Sequence, residues 1–232
     1  MSRFAGRLSF LMVFALASCM HSGSSAAQGA LKVGQWHSMF DGKTMPTEWR
    51  GYKMTTMPPG WSVENGTLTK SKTTEDIISV AEFSDFEFEV DWKLEKGGNS
   101  GLFYRGSEEF DRVYWSATEY QLLDDANAPD GKNRLTSAGS AYGLYAPPVG
   151  IVKPFGEWNS TRIVVKGTHV EHWMNGKKLL EYTYYSPDWE AKVKASKFKT
   201  WAKYGRASKG HLAIQGDHNG ALTLRNIRIK PL

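Results

Sequence analysis

From Phe86 to Trp92 apolar and acidic residues alternate: Phe86, Phe88, Val90 and Trp92 against Glu87, Glu89 and Asp91. A period of two is that of a β-strand with one face in a core and the other toward water. Gly97-Gly98-Asn99 interrupts the pattern, and an apolar run resumes over Leu102–Tyr104. Further stretches of strand character lie at Tyr120–Leu123, Arg162–Val165, Val170–Met174, Leu179–Tyr184, Leu212–Gln215 and Leu222–Ile229. Asn175-Gly176 separates two of them, and Asn65-Gly66 lies between Val63 and Leu68. Both residues of such a pair tolerate positive φ, which a two-residue hairpin demands. One segment leaves the strand rhythm. Ser186 as N-cap, Pro187 at the first helical position and Gly205 as a stop predict a helix near residues 187–204. No repeat or linker divides residues 36 to 230, so the pattern predicts one all-β domain, a jelly-roll β-sandwich with one short inserted helix.

The N-terminus follows a different logic. Arg3 and Arg7 precede the apolar run Leu8–Ala17, which is too short to span a bilayer and suits the core of an export signal. Leu16-Ala17-Ser18-Cys19 resembles a bacterial lipobox, in which the Cys is lipidated and the peptide is cut before it. The expected organisation is a signal peptide at 1–18, a Ser/Gly/Ala-rich tether at 19–34 behind the lipidated Cys19, and the domain at 35–232. The membrane is then a partner through the lipid. The expected location is the bacterial cell envelope, at the outer membrane facing the periplasm. Cys19 is the single cysteine, so an intrachain disulfide framework and a Cys-based zinc cluster are excluded. The formal charge of +5 falls to about +3 once Arg3 and Arg7 are removed. Much of it lies between Lys192 and Lys209, which reads as a solvated helix face, and no nucleic-acid partner is expected.

Four groups of residues bear on chemistry. Glu87, Glu89 and Asp91 share a strand face, but Glu95 follows one residue too late for the Glu-x-Asp-x-x-Glu strand of some jelly-roll glycanases, so they read as a charged solvent face. Glu119 and Gln121 share a face opposite Tyr120 and Leu122, a poor pair for a core and a good one for binding sugar. Arg105, which ends the run Gly101–Arg105, would either orient Glu119 or form a structural salt bridge. Among the histidines, His169 and His172 fall on opposite strand faces and cannot easily share a metal, whereas His172 and Met174 share one. His218 lies in the polar loop Gln215-Gly216-Asp217-His218-Asn219-Gly220, where functional residues concentrate. No His/Asp/Glu spacing is a metal signature, and Walker, dinucleotide-binding and nucleophile-elbow motifs are absent.

Eleven short motifs, in order, resemble those of the 3-keto-disaccharide hydrolase family. They begin with Trp36-His37-Ser38-Met39-Phe40-Asp41-Gly42-Lys43 and Gly60–Leu68, and continue through Asp85–Phe88, Asn99–Arg105 and Glu119–Asp124. Ala138-Gly139 with Tyr142, Lys153-Pro154 with Gly156–Asn159, His172–Gly176, Ser196–Phe198, Ile214-Gln215 with His218, and Arg225–Ile227 complete the series. The resemblance implies a concanavalin-like jelly roll and an enzyme that cleaves glycosides whose C3 hydroxyl has been oxidised to a ketone. The ketone acidifies the C2 proton, so the site needs a base near C2, a cation or donor at the C3 oxygen and an acid for the leaving group. Within that scheme Glu119 or His218 is the base, in a cluster that includes Asp124. Arg105 and Lys153 are candidates for the enolate oxygen. Gln121, Asn99, Tyr142 and Gln215 are candidates for the sugar hydroxyls, and Trp158 for stacking on the ring. Gly216-Asp217 separate Gln215 from His218, a longer spacing than the family pattern has. A divalent cation bridging the C2 and C3 oxygens would suit the chemistry, but the sequence supplies no ligand set for it, so no cofactor is expected. Two other readings compete: a carbohydrate-binding lipoprotein without catalysis, and a retaining glycosidase acting on unoxidised glycans.

Overall fold

The computed structural model describes Met1 and residues 31–232. The expected signal peptide, Cys19 and most of the tether lie outside the described residues. The strands are β1 (His37–Ser38), β2 (Trp49–Gly51), β3 (Trp61–Glu64), β4 (Thr67–Lys70), β5 (Ile77–Phe83), β6 (Phe86–Leu94) and β7 (Asn99–Gly106). They continue as β8 (Thr118–Leu123), β9 (Asn159–Lys166), β10 (His169–Met174), β11 (Lys177–Thr183), β12 (Gly210–Ile214) and β13 (Leu222–Pro231). An eight-stranded antiparallel sheet runs β11-β10-β9-β6-β13-β4-β3, with β1 also pairing β13, and a five-stranded one runs β2-β5-β12-β7-β8.

The alternation in β6 sets the layering. Phe86, Phe88, Val90 and Trp92 are buried and face Leu102, Tyr104, Tyr120, Leu122, Leu212 and Ile214 of the other sheet in one continuous core. Glu89 and Asp91 are part-exposed on the outer face, as expected, whereas Glu87 on that face is buried and pairs with Arg162 and Lys230. In β13 the alternation survives an extra residue. The register shifts between Arg225 and Arg228 where Asn226 has a φ of 53°, so Leu224 and Ile227 both reach the core. Such a bulge leaves Arg225 and Arg228 together on the outside. Both expected hairpins form, β3–β4 at Asn65-Gly66 (φ 49° and 78°) and β10–β11 at Asn175-Gly176 (φ 51° and 77°).

β5 lacked a sequence signal because its first half is covered on both sides while Val80–Glu82 are exposed. Ile77 joins the main core, whereas its neighbour Ile78 joins a second cluster with Phe103, Val113, Ala117 and Ala213 on the outer face of the five-stranded sheet. Burial on both faces erases the period of two. The helix α1 (Pro187–Ala195) is shorter than the expected 187–204. Ser186 caps it by accepting from the Trp189 amide, as read from the sequence. Ser196 then adopts an extended backbone and caps a separate 3-10 turn, Lys197–Thr200, through the Phe198 amide. A polar cap in mid-segment offers the backbone an alternative to continuing the helix. Among the described residues no helix is long and apolar enough to cross a membrane.

His172 and Met174 are both buried on one face of β10, with His169 on the other. The His172 Nδ1 donates to the Gly139 carbonyl at 3.0 Å, leaving Nε2 to accept from the Tyr104 hydroxyl at 2.8 Å. Burial pushes its pKa down to about 4, so this imidazole is a neutral core group.

Candidate active site

Outward-facing residues of the five-stranded sheet form the floor of a cleft of about 370 Å³. Glu119 and Gln121 come from β8, Asn99 from the start of β7, and Gln215 from just beyond β12. The period of two puts both β8 residues on the face opposite the core-facing Tyr120 and Leu122. Opposite Gln121 stands Gly101, where a β-carbon would collide with the Glu119 carboxylate, so the glycine makes room for that group. Gln121 donates from Nε2 to Asn99 Oδ1 at 3.1 Å, and Asn99 donates weakly to Asp130 at 3.4 Å. That chain aims Gln121 Oε1 elsewhere. It is buried without a partner, as are Gln215 Oε1 and Asp217 Oδ1. Three orphaned acceptors around one cleft are costly in a folded chain, and hydroxyl donors of a ligand would satisfy them.

The walls come from segments between strands. Tyr142 is fastened to the floor by its amide, which donates to the Glu119 carbonyl. Lys197, delivered by the 3-10 turn after α1, sits 4.4 Å over the Tyr142 ring. Tyr114, Trp115 and Trp201 form a tilted aromatic group with ring centroids about 6 Å apart, 5.9 Å and 6.3 Å for the two pairs with Trp201. The last wall is the loop bearing Asp217 and His218. Lys70, buried in β4, donates from Nζ to the His218 carbonyl at 2.7 Å and to the Gly220 carbonyl at 2.8 Å. Asp76 accepts from the Gly216 amide at 2.8 Å, and Gly216 packs so closely on the Glu75 backbone that no side chain fits there.

Burial dominates the electrostatics. It pushes Glu119 from 4.5 up to about 8; Lys197 pulls the other way, while Asp217, Asp76 and Asp130 add to the rise. Asp76 is raised to about 6, again by burial first, against its hydrogen bond from Gly216. The cleft thus holds a carboxyl that keeps its proton at neutral pH and gives it up under mildly basic conditions.

Of the residues expected from the sequence, Glu119, His218, Gln121, Asn99, Tyr142 and Gln215 converge here. The longer spacing before His218 does not remove it, because Lys70 and Asp76 hold the loop against the sheet. Four expected residues lie elsewhere. Arg105 is buried at the far end of β7, where its guanidinium donates to the carbonyls of Ser84 and Gly167 and pairs with Asp85 at 3.3 Å, so it does not orient Glu119. It takes the structural role. Arg105→Ala is therefore expected to cost about 2–4 kcal/mol in urea melts by stranding two carbonyls and Asp85, with kcat of the folded enzyme unchanged. Asp124 caps a turn by accepting from the Gly97 amide and the Asn127 side chain. With Lys153, whose Nζ donates to the Trp158 carbonyl, it lines a different depression. Trp158 is held between Arg225 and Lys93, at 4.0 Å and 5.0 Å, and Trp115 and Trp201 supply the aromatic surface of the cleft instead.

Sequence reasoning missed Lys197 and Trp201 because it continued the helix through them. The signal that would have found them is Ser196, a second capping residue inside the same segment. It also missed Lys70, Asp76, Asp130 and Asp217, whose positions depend on contacts distant in sequence. Among the described residues, one group of three carboxylate or imidazole groups stands close enough to share an ion, His169, Glu171 and Glu181. It lies on β10 and β11 outside the cleft, with the Lys178 ammonium paired to both of its carboxylates.

Residues 35–230 match the model of a family described as 3-keto-alpha-glucoside-1,2-lyase-like domains. A 3-keto-disaccharide hydrolase of Bacteroides thetaiotaomicron is 35% identical over 228 residues, covering 84% of this chain and 78% of that protein. The structure of a proposed glycosyl hydrolase from Parabacteroides distasonis superposes with a TM-score of 0.79 at 32% identity, over 85% of this chain and 94% of that one. A family GH16 endo-β-1,3(4)-glucanase shares the fold at 10% identity, with a TM-score of 0.54 over 85% of this chain and 90% of its own. The jelly-roll sandwich is thus that of carbohydrate-active proteins, and the chain belongs to the 3-keto-alpha-glucoside-1,2-lyase-like family and is a glycosidic-bond-cleaving enzyme.

Proposed function

We propose that the cleft cleaves glycosides oxidised to a ketone at C3, by removing the C2 proton and expelling the aglycone from C1. The observation that carries the reading is the Glu119 carboxyl at about 8. A glycosidase nucleophile must be ionised at neutral pH and is favoured by a low pKa, whereas a base for a carbon acid gains from a high one. Ionised Glu119 takes the C2 proton, and the C–H electron pair moves onto the C3 oxygen as an enolate. The Lys197 ammonium is the nearby cation suited to that oxygen. Collapse of the enolate breaks the C1–O bond, and His218, which lines the same cleft, is placed to pass a proton to the departing oxygen. The sugar leaves with a C1–C2 double bond, and addition of water at C1 converts it to the free 3-keto sugar. Gln121, Gln215 and Asp217 accept from ring hydroxyls, and Trp115 and Trp201 stack on apolar sugar faces. No step is assigned to a metal or other cofactor. Lipid on Cys19 would hold the domain at the envelope, where oxidised oligosaccharides or glycosides are its substrates.

The test is NMR of the protein in D2O with a 3-keto-glucoside and with its unoxidised parent, with and without EDTA. Cleavage of the keto-glucoside alone, with deuterium entering at C2 of the remaining substrate or the product, is the expected result. Equal cleavage of both sugars would make the protein a conventional glycosidase. Line broadening without cleavage of either would make it a binding module, and loss of cleavage with EDTA would require a metal in the mechanism.

A further inference from the structure

We propose that the outer face of the eight-stranded sheet carries a second, non-catalytic groove that binds a neutral oligosaccharide. The groove encloses about 890 Å³, more than the cleft. Its floor is built from outward residues of β6, β9, β10 and β13, whose alternate neighbours fill the core. It therefore lies on the opposite side of the sandwich from Glu119.

Three arginines, Arg162, Arg225 and Arg228, face three carboxylates, Asp41, Glu89 and Asp91. Arg228 grips Glu89 at 2.5 Å and Arg225 reaches Asp91 at 3.4 Å. Exposed pairs of this kind contribute only about 0–1 kcal/mol each, so the fold does not require a row of them. What they provide is a dense set of oriented donors and acceptors with no net charge. An anionic ligand would meet the three carboxylates, whereas a polyhydroxylated neutral one can both donate and accept.

Several donors are unspent. Arg225 engages Asp91 through Nε, and its guanidinium is flattened on Trp158 at 4.0 Å, which presents the terminal amino groups as a fixed fork. Arg162 pairs with Glu87 through one terminal nitrogen and lies 5.6 Å over the Trp173 ring, beside the groove floor. Two indoles complete the surface. Trp36 is 36% exposed and steadied by Arg228 at 4.5 Å and Lys230 at 5.1 Å. Trp173 is anchored by its Nε1, which donates to Glu171 at 2.7 Å. Rigid aromatic surfaces with neighbouring forked donors suit the two textures of a sugar, apolar C–H faces and rims of hydroxyls. The groove does not depend on the reaction proposed for the cleft.

The test uses the full chain carrying Glu119→Gln, titrated separately with cellohexaose, maltohexaose, laminarihexaose and isomaltohexaose. The readout is the indole N–H NMR signals, assigned by single Trp→Phe variants. At least one hexasaccharide is expected to move the Trp36 and Trp173 signals at concentrations up to about 10 mM. Arg225→Gln should weaken that binding roughly tenfold, with Trp36→Leu as the second variant if Arg225→Gln does not fold. In an otherwise unaltered chain either change should leave cleavage of a small 3-keto-glucoside untouched. No movement of Trp36 or Trp173 with any of the four, movement confined to Trp115 and Trp201, or binding insensitive to the groove variants would overturn the proposal. So would a response to sulfated oligosaccharides alone. Loss of keto-glucoside cleavage by the unaltered enzyme would instead count against the reading of the cleft.

Discussion

Replacing Glu119 with Gln is expected to lower kcat on a 3-keto-glucoside by about 10²–10⁴-fold, the range for loss of a general base, with KM little changed. The same change should raise thermal stability. In the unfolded chain the carboxyl ionises near 4.5, whereas in the folded cleft it holds its proton to about 8. Between those values the unfolded state binds fewer protons than the folded one, so the stability of the unaltered protein falls as pH rises through this window. A carboxamide in its place has no proton to lose. The melting temperature of the variant should therefore match the parent near pH 4.5 and exceed it at pH 8, by on the order of 10 °C for a chain of this size. Calorimetry at the two pH values checks the sign. Activity should move the other way: kcat/KM of the parent rises with pH and levels off above about 8 as the base ionises. A rate that falls over that range would make protonated Glu119 a proton donor and overturn its assignment as the base.

The second large effect is expected at a residue that does not line the cleft. Lys70 spends a buried ammonium on the carbonyls of His218 and Gly220. Burial lowers its pKa, and the carboxylates of Asp217, Glu95 and Asp76 oppose that. Lys70→Met keeps the length of the side chain and removes both hydrogen bonds. With two carbonyls left unpaired, the expected loss is about 2–4 kcal/mol in denaturant unfolding. The loop carrying Asp217 and His218 then loses its tether to the sheet. A kcat about 10²-fold lower, with a smaller change in KM, would identify Lys70 as a positioning residue, since misplacing a proton donor by an ångström costs on that order. A variant that is merely less stable, with unchanged kcat at low temperature, would confine Lys70 to a structural role.

Legibility varied by residue for physical reasons. Glu119 and Gln121 could be found because two polar side chains alternating with Tyr120 and Leu122 contradict burial on that face. His218 could be found because a polar loop leaves a strand end there. Arg105 misled because a guanidinium closing one strand can pair with a carboxylate on its neighbour. In the fold Arg105 lies two residues beyond the partner of Glu119, but its positive φ of 54° at a bulge in β7 directs its side chain elsewhere, to the carbonyls of Ser84 and Gly167. Trp158 misled because aromatic residues are common to cores, sugar platforms and cation stacks alike, and only the fold shows that it lies outside the cleft, between Arg225 and Lys93.

What the chain determined by itself was local: the period of two in β6, the Asn-Gly turns of the two hairpins, the Ser186 cap, and the linear motifs that mark the family. Each depends on residues within a few positions of one another, so spacing alone expresses it. What only the tertiary structure decided was which side chains share a cleft and what state they adopt there. The pKa of Glu119 reflects its desolvation in the folded cleft, opposed by Lys197 and reinforced by Asp217, Asp76 and Asp130, and the His218 loop is held by a lysine 148 residues earlier in the chain. Burial and electrostatics of that kind sum over neighbours that the fold brings together, and no window of sequence contains them.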